Sequence, residues 1–244
     1  STVDAINKWC SDKTHGKISK IIEKLDPGTV MALVNALYFK GKWAFEFNDK
    51  TKSEQFTTIS GSKVEHDMMS ATKKLKYSSS EGYEMVSLPY GNGAFQMNVI
   101  LPPENLPFAK AVDNMDDRRW NVLNNDLTTC NVNLKMPEFK FEYSSDMGKV
   151  LQALGMTDAF SGSADFSGIS DAQLCIDSVI QKAFIEVNTK GTEAAAATVV
   201  TMRLTSAEPP QEPKNVDFIA DRPFPFVISE QSTGAILFIG QKVD

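Results

Sequence analysis

The chain has 244 residues, 42% of them hydrophobic, and its 31 acidic and 25 basic side chains leave a net charge of −6. That length fits one large domain or two small ones with a substantial core. The acidic balance excludes the basic surface that nucleic acid requires, and no apolar run reaches transmembrane length, so neither nucleic acid nor a membrane is expected as a partner.

Along the chain, His15 precedes Gly16 in a turn, and His66 opens a strand-like run with Asp67, Met68 and Met69. Two histidines without matched Cys or carboxylate spacing do not make a metal site, so a structural or surface role is expected for each. The basic cluster Lys73-Lys74-Leu75-Lys76 reads as a solvated strand end, with a polyanion site as the alternative. Asp116-Asp117 beside Arg118-Arg119 reads as a helix surface. Cys10, Cys130 and Cys175 lie far apart and are odd in number, which suits buried free thiols rather than a disulfide framework. There is no Gly-x-Ser-x-Gly elbow, phosphate loop, dinucleotide fingerprint or Cys-x-x-Cys pair. The expectation is therefore no enzyme, no cofactor and no metal. Internal repeats, Gly/Ser linkers and an Asn-x-Ser/Thr sequon are also lacking.

The segment that follows the strand-like run Ala183–Val187 is the most telling. It reads Gly191-Thr192-Glu193-Ala194-Ala195-Ala196-Ala197-Thr198. Read alone, Thr192 could N-cap an alanine helix with Glu193 in its first turn. The alternation across the longer stretch favours a strand. Thr192, Ala194, Ala196, Thr198, Val200, Met202 and Leu204 would share one face, small at first and then increasingly apolar. The opposite face would carry both charges, Glu193 and Arg203. A helical projection gives no clean apolar stripe. The segment is read as a latent strand held as a loop. The proline-rich run Glu208–Pro213 then suits an exposed extended tether.

These residues resemble the hinge of an inhibitory serpin, and other motifs follow in that family's order. Ile6-Asn7-Lys8-Trp9 through Ile18 resembles the helix lying across the main sheet. Ala32–Trp43 resembles its third strand, and Leu88-Pro89-Tyr90 with Asn98–Pro102 resembles a strand pair of the second sheet. Met136-Pro137-Glu138-Phe139, Leu154-Gly155-Met156, Ala159-Phe160 and Ala164–Ile169 come next. Arg222-Pro223-Phe224-Pro225-Phe226 and Gly234–Gly240 resemble the closing strands. The resemblance implies an α+β fold of mixed large sheets with surrounding helices and an exposed reactive loop. It would form one serpin-like domain over 1–244, with hinge and loop at 189–215. The family's earlier helices and strands, absent from this chain, are expected on a companion N-terminal fragment. Extracellular or periplasmic location follows from the resemblance alone.

Two departures stand out. Gln181-Lys182 occupies the place where the family has His-Lys, and that His normally bonds the strand asparagine, here Asn35. Gln can donate and accept as neutral His does. Thr189 and Glu138 replace both members of the family's usual Glu–Lys pair, which suits a replaced contact rather than an orphaned charge.

The activity implied is suicide inhibition of serine proteases, with cysteine proteases as a further class. A protease cuts the loop and forms an acyl-enzyme; the hinge inserts as a new strand, a recognised form of strand addition. About 14 inserted residues at ~3.3 Å each would carry the enzyme some ~45 Å. Gly191 would supply freedom at the pivot, Thr192 would enter first, and Ala194 to Ala197 would resist little. By resemblance Trp43 packs where the sheet first opens, the plainer alternative being an ordinary core aromatic. Asn35, Gln181 and Lys182 complete the sheet-opening region. Counting forward from Thr192 puts the reactive bond at Thr205-Ser206, which suits elastase-like or subtilisin-like enzymes. Counting backward from Val216 gives a later bond, and Arg203-Leu204 is the trypsin-like alternative. The other readings are a non-inhibitory carrier or chaperone, which typically loses the small hinge residues, and an inactive fragment.

Overall fold

The computed structural model describes residues 1–48, 50–189 and 212–244. The chain opens with helix α1 (Thr2–Lys13) and strand β1 (Ala32–Tyr38). Strands β2 (Lys52–Thr57), β3 (Lys63–Ser80), β4 (Tyr83–Tyr90) and β5 (Phe95–Leu101) follow. Helices α2 (Phe108–Asp113) and α3 (Asp117–Asn125) lead to β6 (Thr128–Pro137). Next come β7 (Phe139–Asp146), α4 (Gly148–Ala153), a single 3-10 turn at Asp158–Phe160 and β8 (Ser178–Val187). The described chain closes with β9 (Asn215–Ile219), β10 (Phe224–Glu230) and β11 (Ile236–Lys242). Large sheets with few helices are the mixed architecture expected. The residues fall into two compact units, one of Ser1–Lys40 with Lys140–Glu186, the other of Gly41–Phe139 with Val187–Asp244.

In the first unit, Ser1 and Asp4 form a capping box at the start of α1. The helix stops at Lys13, short of the Ile18 to which the resemblance extended it. There the Thr14 hydroxyl donates to the Cys10 carbonyl (2.7 Å) and accepts the Ile18 amide (3.0 Å). Asn7 holds the returning chain, accepting from the amides of Ile21 (2.8 Å) and Ile22 (3.0 Å). This brings Cys10, Ile18, Ile21 and Ile22 onto Phe184, with Val34, Ala36, Tyr38 and Ile180 packed beside them. The apolar face of β1 is thus partly buried, and the three-stranded sheet runs β1-β8-β7.

The second unit holds an eight-stranded sheet in the order β11-β10-β5-β4-β3-β6-β9, with β2 paired to β3. Phe56, Met68, Met69, Met85, Leu88, Met97 and Phe218 are fully buried. Gly240 is needed where it stands, since a Cβ there would lie 2.5 Å from the Phe226 ring. Asp116 caps α3 by accepting from the Arg119 amide (2.8 Å), which places the Asp/Arg stretch on a helix start as expected. The lysines at 73–76 lie inside the long β3, not at a strand end, because pairing with β4 carries that strand on to Ser80. Cys10 and Cys130 are buried free thiols, whereas Cys175 is only half-buried.

Candidate functional site

Strand β8 leads to position 190, so its surroundings define what the following segment would meet. In the first unit β8 pairs in parallel with β1 over seven register pairs, from Ala32↔Ser178 to Tyr38↔Phe184. Asn35 stands directly opposite Gln181, and Ala36 opposite Lys182. Opposed residues of a ladder share a face. Asn35 is exposed on the face away from the Cys10–Phe184 cluster, and among the described residues no hydrogen bond joins it to the Gln181 side chain. Gln181 thus stands across the ladder from Asn35 without, among the described residues, the side-chain bond that the resemblance implied.

Lys182 takes the cluster side. Its ammonium donates to the Lys20 carbonyl (2.6 Å) and pairs with Glu142. Nearby, Lys17 and Lys140 approach the Phe184 ring at 5.3 and 5.4 Å, and Lys17 pairs with Glu186 at 3.0 Å. Burial pushes the Cys10 thiol up despite the opposing field of Lys182. Cys10 is thus a packing residue, not a reactive thiolate.

The second unit contains the residues on either side of segment 190–211. At the first end the Trp43 indole donates to the Asn188 carbonyl (2.9 Å). Its ring is only 7% exposed and stacks on Tyr90 with centroids 4.3 Å apart at 14°. Phe47 meets it edge-on at 5.7 Å. Burial also drives the Tyr90 phenol well above its ordinary range. Trp43 is therefore a core aromatic that also holds a main-chain group. Beside it, Glu138 accepts the Thr189 amide at 3.0 Å. Glu138 is itself tied down, donating its own amide to the Asp67 carbonyl (2.8 Å). The departure at these two positions is a substituted contact, carboxylate to main chain in place of an ion pair.

At the second end β9 pairs in parallel with β6 from Asn131↔Asn215 to Lys135↔Ile219. The Asn131 amide donates to Lys214 O (2.9 Å), while its side chain donates to Pro213 O (3.3 Å) and Asn215 Oδ1 (3.0 Å). Sequence reasoning missed Asn131 entirely. Its only signal was an asparagine facing outward in an alternating strand.

The hinge residues Gly191 to Thr198 and the reactive-bond candidates Arg203, Leu204, Thr205 and Ser206 lie outside the described residues. The structure brings Asn35, Gln181 and Lys182 together in one unit and places Trp43 with Asn188 in the other.

The family model described as Serpin (serine protease inhibitor) matches residues 1–244. Iripin-3 from Ixodes ricinus is 38% identical over 245 residues, covering 98% of this chain and 61% of that protein. The structure of the thermophilic serpin tengpin in its native state superposes with a TM-score of 0.84 at 33% identity, over 100% of this chain and 63% of the other. Thyroxine-binding globulin in complex with thyroxine gives 0.83 at 28% identity, over 99% and 64%. The chain thus spans under two thirds of the length of these relatives.

Proposed function

This chain belongs to the serpin family, and we propose that it is the inhibitory part of an irreversible suicide inhibitor of serine proteases, with cysteine proteases as a further class. The protease nucleophile attacks the Thr205 carbonyl, the bond to the Ser206 nitrogen breaks, and the amine leaves on the Ser206 side while the acyl group stays on the enzyme. The freed hinge, Gly191 to Thr198, then enters the sheet.

The observation that carries this reading is the direct parallel pairing of β1 with β8. β8 has β1 on one side and β7 on the other. A segment turning back after β8 can therefore ladder to it only where an existing neighbour gives way. Entry between β1 and β8 would put the new strand antiparallel to both, so two antiparallel ladders replace one parallel ladder, the less stable kind per residue. The Ala194–Ala197 run is what lets such a strand pass without steric resistance. Elastase-like or subtilisin-like enzymes suit Thr205, and trypsin-like enzymes suit Arg203.

A companion N-terminal polypeptide is part of the proposal. Ile236, Leu237 and Ile239 on β11 are exposed, and adjacent apolar side chains of that size call for a cover. Copurification of a second polypeptide is the check.

A carrier is the second reading, because the thyroxine complex has a similar fold. Among the described residues, the groove beside Arg222, lined by Ile59, Pro102, Leu106 and Phe108, holds about 210 Å³, below the ~300 Å³ at which ligand pockets begin, and so does not itself supply a carrier site. The alanine run also favours inhibition. Incubation with pancreatic elastase and trypsin followed by a denaturing gel separates the readings. Inhibition gives a covalent band of summed mass, and a carrier gives clipped chain only.

A further inference from the structure

Building on the inhibitory reading, we propose that the solvent-facing side of β3, β6 and β9 is a second docking surface for the target protease, one that favours an enzyme with an acidic rim. A stable protein–protein interface buries about 800 Å² on each partner, from roughly 20–30 residues a side. A protease gripping about eight extended residues of a loop falls short of that, so its rim must rest on structure flanking the loop.

The nearer flank is the second end. Ser206 is nine residues from Asn215, whereas Thr205 is sixteen from Thr189. Nine residues span at most ~32 Å, while an enzyme of about 230 residues has a radius of gyration near ~17 Å and is broader than that span. The rim therefore reaches the strands that anchor Asn215.

Those strands present a consistent face. Register places Lys74 opposite Asn131 and Asn131 opposite Asn215, with Lys76 opposite Thr129 in the adjoining row. Lys74, Lys76, Thr129 and Asn215 are exposed and Asn131 is half-buried. Two strand spacings, about 9.6 Å, separate Lys74 from Asn215. Among the described residues neither lysine forms an ion pair, and two acids that register places on this face are already engaged, Asp217 accepting from Asn133 Nδ2 at 2.8 Å and Glu54 from Lys135 Nζ at 2.8 Å. Two unpaired cations thus stand on a protein of net charge −6, within two strands of the loop's attachment. The three hydrogen bonds of Asn131 to residues 213–215 lock that attachment to the same strands. A protease held by the loop meets this face in a fixed orientation. Charge there acts mainly on the association rate.

The test uses the protein as isolated, with any companion polypeptide, and anionic and cationic trypsin as probes of one specificity and opposite surface charge. The readout is the second-order rate of loop cleavage at Arg203, followed by mass spectrometry, which needs no trapping. Anionic trypsin is expected to cut faster than cationic trypsin, and K74E/K76E is expected to invert the order, shifting the ratio by about tenfold or more. K110E/K149E, an equal charge change on exposed lysines of α2 and α4, should leave the ratio as in the parent. A ratio unmoved by K74E/K76E, or moved equally by K110E/K149E, overturns the proposal. So does loss of binding to a sulfated polysaccharide in K74E/K76E without a change in ratio, which would assign the face to a polyanion. Cleavage with no covalent band for any protease would instead sink the inhibitory reading and leave the docking result standing. If neither trypsin cuts at Arg203, the docking proposal falls, while the inhibitory reading, which places the bond at Thr205-Ser206, is judged by the elastase gel alone.

Discussion

The two ends of segment 190–211 are held in different ways. At the first end, side chains grip main-chain groups singly: Trp43 takes the Asn188 carbonyl and Glu138 the Thr189 amide. At the second, a five-pair parallel ladder between β6 and β9 is reinforced by the three bonds of Asn131. Each single contact contributes about 1 kcal/mol, somewhat more where the acceptor is charged. A ladder cannot be given up one bond at a time at that cost. That contrast supports the proposed one-sided insertion, in which the first end lets go and the second stays.

Four perturbations sharpen or break that contrast. The largest effect is expected from Ala196→Arg, on the face that must enter the sheet. Burying an unpaired guanidinium is costly enough to stop entry. The variant should be cleaved at the parental rate yet give no covalent band, and a parental yield of complex would contradict the assigned face.

Trp43→Ala should cost about 3–5 kcal/mol, since it removes a buried stacked indole as well as the bond to Asn188. Trp43→Phe keeps most of the packing and should cost only ~1 kcal/mol. Denaturant unfolding checks both. Equal losses would mean that the N–H bond, not the packing, dominates.

Asn131→Ala should lower stability by about 1–2 kcal/mol, or roughly 2–8 °C in Tm for a chain of this size. Glu138→Ala should cost no more than that and should also speed spontaneous loss of inhibitory activity on storage, while Glu138→Gln, still an acceptor, should stay near the parent. If Asn131→Ala hastened inactivation and Glu138→Ala did not, the roles of the two ends would be reversed.

The smallest effect concerns acid. Glu230 accepts from the Thr233 hydroxyl, the Ser232 amide and hydroxyl, and the Thr233 amide, which together lower its carboxyl to about 2. The folded value lies below the unfolded one, so the contribution is complete above the ordinary Glu value of about 4.3 and is lost as pH falls towards 2. Glu230→Gln should flatten the Tm profile over that window and leave the profile near neutrality unchanged in shape. An unchanged acid limb would contradict the turn's role.

Much of this was legible in the sequence because the relevant signals are local. The strand sequences around Leu88 and Phe224 carry their own β character and stand in β4 and β10, whereas the alternation from Thr192 to Leu204 lies outside the described residues. What escaped was set by partners distant in sequence. Asn35 and Gln181 meet across a long separation, and nothing near either residue announces that β1 and β8 are neighbours. Glu138 and Thr189 were noted as departures, but that a carboxylate would take a main-chain amide there depends on how Pro137 ends β6. Asn131 looked like any outward-facing polar residue. The lysines of β3 looked like a strand end because charge runs usually mark one, whereas pairing with β6 on one side and β4 on the other carries the strand through them.

The most direct test compares the melting of intact protein with that of protein clipped within 203–206, companion polypeptide included. Insertion adds ladder hydrogen bonds at about 1 kcal/mol each, and at roughly 2–4 °C per kcal/mol even five net bonds move Tm by ~10–20 °C. The account predicts a rise of at least that size on clipping. A clipped sample that melts at or below the intact one would contradict it.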